Sequence, residues 1–305
     1  MRYLAKRLAH SLFVLFGVFT IVFGLVYVSG DPIAVLLPLD AREEDRARLR
    51  AAYDLDKPLP VQYGNYLWRA VRGDLGTSLR FGEPALRVVL ERLPATLELS
   101  AAALLVALVL AVPAGMAAAL RPNGKLDAVL SAVALTGQAM PTFWLGLLLI
   151  MLVAVQWRLL PTSGRGGIEH LVLPAITLAA YTTAILSRVL RSSLLDVINR
   201  DYIRTARAKG LREVVVIRRH AMKNALIPAV TVLGLQIGHL FAGAVVTETV
   251  FAYPGMGLLA VQAIANQDFP VVQAFVVLVS SVVLVMSLLT DIVYTLLDPR
   301  ITYES

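Results

Sequence analysis

The sequence predicts an all-α integral membrane protein with six transmembrane helices. Hydrophobic residues make up 58% of the 305-residue chain and charged residues only 16%, whereas a soluble domain is about half apolar and about a quarter charged. The apolar residues also cluster in runs of about 20, the helix length that crosses the hydrocarbon core of a bilayer. The solvent around most of the chain is therefore expected to be lipid rather than water.

The first apolar run covers residues 8–28 and follows a start that carries Arg2, Lys6 and Arg7. This run is longer than the apolar core of a signal peptide, and no small-residue cleavage site closes it. We therefore expect an uncleaved first span with a cytoplasmic N-terminus.

Residues 30–94 have a different composition and predict a sizeable extracytoplasmic insert between the first and second spans. They contain ten basic and ten acidic residues, and a loop of this length translocates largely regardless of its charge. Asp40 and Glu43 have capping-box spacing and predict a charged helix to about Tyr53. Pro84 suits the first turn of a second helix. The expected apolar face of that helix consists of Leu86, Val89, Leu90 and Leu93.

Five further spans complete the predicted count of six, at 97–120, 128–157, 171–195, 226–250 and 271–297. The connection that carries Arg121 and Lys125 is expected inside, because short cytoplasmic loops are rich in basic residues. Residues 251–270 contain no Lys or Arg and are expected outside. The predicted inside and outside loops alternate along the chain, which predicts that both termini are cytoplasmic.

Prolines and glycines within the predicted spans indicate where helices bend or approach each other. Pro113, Pro141 and Pro174 predict kinks, because proline removes a backbone donor from the helix. Gly234 and Gly238 have the GxxxG spacing that allows close contact between helices.

The positive charge of the chain is concentrated in one internal loop. Residues 188–223 contain ten Lys or Arg against three Asp or Glu, an excess equal to the formal net charge of +7. The pI of 9.8 does not favour nucleic-acid binding, because the surplus is confined to a membrane-bounded loop. It favours either anionic lipid headgroups or a docked protein partner, and charge alone does not separate these two.

The same loop contains predicted helix-end signals. Asp201 is a plausible N-cap for a helix over 202–209, and Gly210 stands where a left-handed C-cap belongs. Ala206 and Ala208 would form a low surface that another protein can approach closely. The arginines expected to pair with acids of that partner are Arg204, Arg207 and Arg212.

Here the chain resembles the permeases of ABC importers, whose EAA loop has the pattern Glu-Ala-Ala, three residues, Gly, nine residues, Ile, any residue, Leu-Pro. Ala206 and Gly210 match this pattern, whereas Arg204 and Thr205 replace the Glu and the first Ala. His220 and Lys223 fall where the pattern has Ile and Pro. The segment 201–228 is similar to the variant found in the dipeptide, oligopeptide and nickel branch.

The resemblance to that branch extends over nearly the whole chain, in particular to its first permease subunit, which has the large outer loop. The other similar segments are 30–32 (GDP), 73–76 (GDLG), 93–98 (LPATLE), 248–257 (ETVFAYPGMG), 268–273 (DFPVVQ) and 297–300 (LDPR). Their order and spacing together are highly specific.

The resemblance implies one transmembrane domain over 1–305 with the type I importer-permease fold, located in the cytoplasmic membrane of a prokaryote. It implies a paralogous permease subunit, two ABC ATPase subunits and an extracytoplasmic substrate-binding protein as partners, besides membrane lipid. A cytoplasmic coupling loop over 201–223 would dock on the ATPases. Its expected contact residues are Asp201, Tyr202, Arg204, Thr205, Ala206, Arg207, Lys209, Gly210 and Arg212.

Other classes of function lack their motifs. The chain has no Cys and no GxxxxGK[ST] P-loop, so ATP and Mg²⁺ are expected on the partner ATPases and no cofactor on this chain. The four His residues are far apart in the sequence, which argues against a resident metal site. No GxSxG motif indicates a serine hydrolase. We therefore expect a transport subunit without a catalytic residue.

Polar residues inside the predicted spans are candidates for a translocation path: Gln138, Gln236, His239 and Glu248. A polar or charged side chain in hydrocarbon is costly, so its presence there suggests a functional role. The alternative is that it bonds to a neighbouring helix, or lies near a span end where water reaches it. Glu98 and Asp291 lie near span ends, and Asp291 is better explained by that position.

Three functions remain open at this point. Peptide import is favoured by the resemblance, and import of nickel, a nickel chelate or glutathione shares the same architecture. A membrane receptor or scaffold subunit that binds a partner without moving a solute belongs to a different class.

Overall fold

The computed structural model describes residues 2–28 and 56–297, with side chains over 10–24 and 56–290. In these ranges the regular structure is helical, apart from one isolated bridge between Thr77 and Pro84. The predicted helix that begins near Asp40, and the side chain of Asp291, lie outside the part described.

Ten helices follow one another in the described ranges. They are α1 Arg2–Val28, α2 Leu59–Val71, α3 Ala85–Leu120, α4 Lys125–Ala139, α5 Thr142–Leu149, α6 Ile168–Ile198, α7 Asp201–Ala208, α8 Met222–Val250, α9 Met256–Ala265 and α10 Phe269–Leu297. A π-helical segment, Ile150–Gln156, continues α5. A short turn of helix, Glu213–Val215, and a second π-helical segment, Val216–Ala221, lead into α8.

Four of these helical stretches are long and apolar enough to cross a membrane, and a fifth counts if α4 and α5 form one broken span. Helix α1 is 27 residues long, and its side chains are described over His10–Gly24, which is too few residues to judge a full span. The predicted count of six therefore stays a prediction. The helix predicted after Pro84 and the span at 97–120 are one continuous helix, α3.

The predicted span at 128–157 is broken. Helices α4 and α5 meet at an angle of 109° across Met140 and Pro141. Met140 has an extended backbone with ψ 124°, because the residue before a proline is pushed out of the helical region. The kink predicted at Pro141 is thus a sharp bend.

The chain divides into two compact units, Met1–Ala95 with Pro254–Val285, and Thr96–Tyr253 with Met286–Ser305. The core of the first unit includes the following buried side chains: Leu75, Ala85, Val88, Val89, Met256, Leu259, Ala263, Val271 and Ala274. Of the four apolar residues predicted on the first turns of α3, Val89 is buried, whereas Leu90 is 42% exposed. The prediction for Leu90 is therefore wrong, since the buried face of the helix runs through Ala85, Val88 and Val89.

In the second unit α6 packs against α4, α5 and α8. Two glycines allow close approach between helices here. A Cβ at Gly115 would lie 2.6 Å from the carbonyl oxygen of Ser187 in α6, and a Cβ at Gly234 would overlap the side chain of Thr290. The close contact predicted for Gly234 is confirmed.

Candidate functional site

Helix α7 is held against α6, within the second unit, by two apolar side chains. Ile203 is fully buried and Ala206 is 6% exposed, and both belong to a core cluster with Leu190 and Leu194 of α6. The prediction that Ala206 forms a low outer surface is therefore wrong. Residues three apart share a face of a helix, so Ala206 points to the same side as Ile203.

The opposite face of α7 is exposed and carries four side chains: Asp201, Arg204, Thr205 and Ala208. Thr205 and Ala208 are small, so the low surface expected here is formed by this pair. Arg204 Nη1 lies 3.7 Å from Asp201 Oδ1, with both side chains largely in solvent. Such an exposed contact stabilises little and leaves both charges available to a partner.

The two flanks of α7 are bonded to the chain that leads into α8. The hydroxyl of Tyr202 accepts a hydrogen bond from Asn224 Nδ2 at 2.9 Å. The guanidinium of Arg207 donates from Nε and Nη2 to Glu213 at 3.1 and 2.8 Å. These bonds hold the pKa of Arg207 above its ordinary value, so the arginine stays charged. Tyr202 and Arg207 therefore position α7.

Helix α7 ends as the sequence predicts and begins one residue away from the prediction. Gly210 has a φ of 76°, the left-handed conformation that glycine adopts at a helix C-terminus, and its N–H donates to Arg207 O. The N-cap is Arg200, without a side-chain cap, and Asp201 stands in the first turn. There its carboxylate interacts favourably with the positive end of the helix dipole. Lys209 and Arg212 on either side of Gly210 are exposed.

The four residues predicted to line a translocation path contact different parts of the structure. Gln138 accepts a hydrogen bond of 2.6 Å from Arg188 Nη1. His239 is exposed, and its ring centroid lies 5.7 Å from that of Tyr181. Their contacts therefore do not bring these residues together in one cluster.

The remaining two path residues are buried. Glu248 is fully buried and accepts a bond of 2.6 Å from Thr96 Oγ1, which gives it a bond across helices. Gln236 is 5% exposed, and its Oε1 has no hydrogen-bond partner among the described residues.

Glu98, left undecided by the sequence, is paired with Arg165. The guanidinium donates from Nε and Nη2 to Glu98 Oε2 at 3.0 and 2.6 Å, which raises the pKa of Arg165. Burial raises the pKa of the nearby Tyr253 hydroxyl, so this phenol stays neutral. The pair gives the carboxylate of Glu98 a charged partner.

Sequence reasoning missed a partly buried ion pair between α4 and α6. Asp127 accepts bonds of 2.6 and 2.7 Å from Nε and Nη2 of Arg191, and further bonds from Asn123 N and Ser131 Oγ. The available signal was an acid in the first turn of one apolar helix and an arginine inside another. The partner, 64 positions away, was not readable from either segment.

Residues 111–303 match the family described as binding-protein-dependent transport system inner membrane component. This match covers more than half of the chain. The chain belongs to this family. It is therefore a multi-pass inner-membrane transport component, and the prediction of a transport subunit rather than an enzyme is confirmed.

Three curated relatives match this permease over nearly its full length. The dipeptide transport system permease protein DppB of Escherichia coli strain K12 is 37% identical, over 100% of this chain and 99% of the relative. The oligopeptide transport system permease protein AppB of Bacillus subtilis strain 168 is 38% identical, over 99% of each chain. The di/tripeptide transport system permease protein DppB of Pseudomonas aeruginosa strain UCBPP-PA14 is 39% identical, over 99% of each chain. The predicted family resemblance is confirmed.

Two solved structures share the fold of this permease. A chain of the MetNI methionine ABC transporter in an inward-facing conformation matches with a TM-score of 0.61 at 19% identity, over 71% of this chain and 99% of that chain. A chain of an amino acid ABC transporter crystallised with histidines matches with a TM-score of 0.52 at 15% identity, over 70% and 94%. At these identities the likeness shows the fold alone. The predicted type I importer-permease fold is confirmed.

Proposed function

We propose that this chain is one permease half of an ATP-driven importer of dipeptides or oligopeptides. The observation that carries the proposal is the full-length similarity to permeases whose names specify dipeptide, oligopeptide and di/tripeptide transport. A paralogous permease subunit forms the other half, with both termini of this chain in the cytoplasm. The whole chain, 1–305, acts as one transmembrane domain, and residues 30–94 form the outer insert that faces the substrate-binding protein.

The coupling loop over 201–223 docks on the ATPase subunits, which hold ATP and Mg²⁺. Exposed small side chains on α7, Thr205 and Ala208, support this assignment because they let another protein approach closely. Asp201, Arg204, Lys209 and Arg212 surround them with charges for the partner. ATP-driven closure of the ATPases drives transport only if the closed state favours one arrangement of the permease helices over the other. The apolar anchors of α7 pass that motion to α6 and α8.

The docking proposal is tested with Ala208→Glu, which puts a charged side chain on the exposed face of α7. We expect the variant to fold but to lose copurifying ATPase and at least about tenfold of ATP-driven dipeptide uptake in proteoliposomes, because a contact close enough to fit alanine cannot fit glutamate. The matched control is Ala265→Glu, which changes the exposed last residue of another short helix, α9, and keeps both activities.

Each alternative gives a different result in the same vesicles. Uptake of nickel or a nickel chelate without uptake of dipeptides would overturn the assignment of peptides as the solute. ATP hydrolysis that the loaded binding protein does not stimulate, together with no movement of any solute, would indicate a scaffold. Unchanged dipeptide uptake by Ala208→Glu would overturn the role of α7.

A further inference from the structure

A groove lies between α4 and α6 in the second unit. Its volume is about 560 Å³, and it is lined by Ser131 and Gln138 from α4, and by Ile185, Arg188, Val189, Arg191 and Ser192 from α6. This volume lies within the range of small-molecule sites, about 300–1,000 Å³. The lining is rich in donors, with two guanidinium groups, two hydroxyls and one amide, and none of the lining residues is acidic.

The groove lies along one face of a helix that is long and apolar enough to cross the membrane, and the apolar Ile185 and Val189 line it together with polar residues. Tyr181, Arg188 and Ser192 are exposed and follow each other at intervals of seven and four residues, so they share one face of α6. A guanidinium that faces hydrocarbon is costly, about 2.5–3.5 kcal/mol or more at the centre of a bilayer. Arg188 is therefore better accommodated beside water or protein than beside lipid tails.

The two arginines of the groove differ in their charge balance. Arg191 is bonded through two nitrogens to the carboxylate of Asp127, so its charge is neutralised. Arg188 donates one bond, from Nη1, to the neutral side-chain oxygen of Gln138. A guanidinium has five N–H donors. Arg188 therefore keeps a net positive charge and further donors, held in place by Gln138.

We propose that this groove binds the carboxylate of the transported solute and that Arg188 is the group that recognises it. The inference rests on the proposed function, since a peptide that crosses the membrane carries a C-terminal carboxylate. A guanidinium matches a carboxylate with two parallel hydrogen bonds, which are stronger than bonds between neutral groups. Gln138 acts as a positioning residue because it orients Arg188 from the facing helix.

The experiment uses the complete assembly with Arg188→Gln and Arg188→Lys. We expect Arg188→Gln to lower dipeptide uptake at least about tenfold, because it removes a charged, two-bond contact. Stimulation of ATP hydrolysis by the loaded binding protein and copurification of all subunits are expected to stay. Arg188→Lys should be intermediate, since an ammonium keeps the charge but not the planar pair of donors. Arg121→Gln removes an exposed charge outside the groove and is the control.

A direct binding measurement identifies the recognised group. Radiolabelled alanyl-alanine and its C-terminal amide are titrated onto the detergent-solubilised assembly without the binding protein. The wild type is expected to bind the free acid about tenfold more tightly than the amide, a difference that Arg188→Gln abolishes because the amide lacks the charge that the guanidinium pairs with.

Several results would overturn this inference alone while peptide import by the wild type continues. The first is unchanged dipeptide uptake by Arg188→Gln, with or without the loss of tightly bound phospholipid. The second is equal binding of the acid and the amide by the wild type. The third is loss of a copurifying subunit from Arg188→Gln, which would mean that Arg188 pairs with an acid of a partner. A wild-type assembly that imports no peptide overturns the proposed function together with this inference.

Discussion

Two short segments of the permease, the loop at residues 78–80 and helix α7, are each held by side-chain contacts, and these contacts differ in their exposure to solvent. The loop at residues 78–80 is bonded to one buried carboxylate, Asp268, which is 2% exposed. Asp268 accepts from Ser78 Oγ at 2.5 Å and from the backbone N–H groups of Leu79 and Arg80 at 3.2 and 3.4 Å. Helix α7 instead rests on two apolar anchors, and its flanking pairs are exposed to solvent.

The difference shows which segment is rigid and which can yield. Asp268 and Ser78 are buried, so water competes little for the bond between them, and loss of either partner leaves a buried polar group unsatisfied. At α7, water competes for the hydrogen bonds of the exposed pairs. The helix is therefore held in place mainly by the burial of Ile203 and Ala206. A segment that must change its contacts during transport is better served by the second arrangement.

The largest expected effect separates the inner and outer faces of α7. Ala206→Glu places a carboxylate in the apolar core and should destabilise the permease by about 3 kcal/mol or more. Heating in detergent followed by size-exclusion chromatography should then show a lower apparent Tm. Ala208→Glu is the control with the same chemical change on the exposed face, and its Tm should match the wild type. Equal heat stability of both variants would show that α7 is not anchored.

A smaller loss is expected when the buried carboxylate is removed. Asp268→Ala leaves three donors without an acceptor and should destabilise the permease by about 2–4 kcal/mol. Asp74 is exposed, and among the described residues its carboxylate accepts a local bond from the N–H of Gly76, so Asp74→Ala should cost about 1 kcal/mol or less. Resistance to limited proteolysis in detergent measures both. If the two variants behave alike, burial is not what fixes the loop.

Gly210 tests the geometry of the turn after α7. A Cβ added at Gly210 would meet no atom within 4 Å, but the φ of 76° is unfavourable for residues other than glycine. Gly210→Val should therefore cost about 1–2 kcal/mol through backbone strain alone and lower the number of peptides moved per ATP hydrolysed. Gly210→Asn, which tolerates this conformation, should recover most of that ratio. Gly64 also has open space but lies within α2, so Gly64→Ala should be neutral or stabilising.

The smallest effect concerns the exposed pair of Arg207 and Glu213. A double-mutant cycle with Arg207→Met and Glu213→Gln should give a coupling energy below about 1 kcal/mol, which declines as salt is added. Chemical denaturation in mixed micelles measures it. Because the raised pKa of Arg207 keeps it charged, raising the pH slightly above neutral should not weaken the pair. A larger, salt-independent coupling would show that this flank is as rigid as the loop at Asp268.

Local features of the loop were predictable because they depend on a few neighbouring residues. Gly210 ends α7 in the left-handed conformation, and Pro141 interrupts its span. The orientation of α7 was predicted wrongly for Ala206, although the spacing of Ile203 and Ala206 contained the signal for a buried face. The angle of 109° after α4 was not predictable, since a proline breaks a helix without setting the direction of the next one.

The sequence by itself determined the lipid environment, the order of the apolar helices, the concentration of positive charge before α8, and the family. The first three properties follow from composition and from backbone bonds between residues a few positions apart, whereas the family follows from the resemblance of motifs along the whole chain. Only the tertiary structure decided that Arg191 meets Asp127 whereas Arg188 meets the neutral Gln138, and that Asp268 holds Ser78. Such pairs depend on the register and rotation of helices packed side by side, which no local pattern of residues specifies.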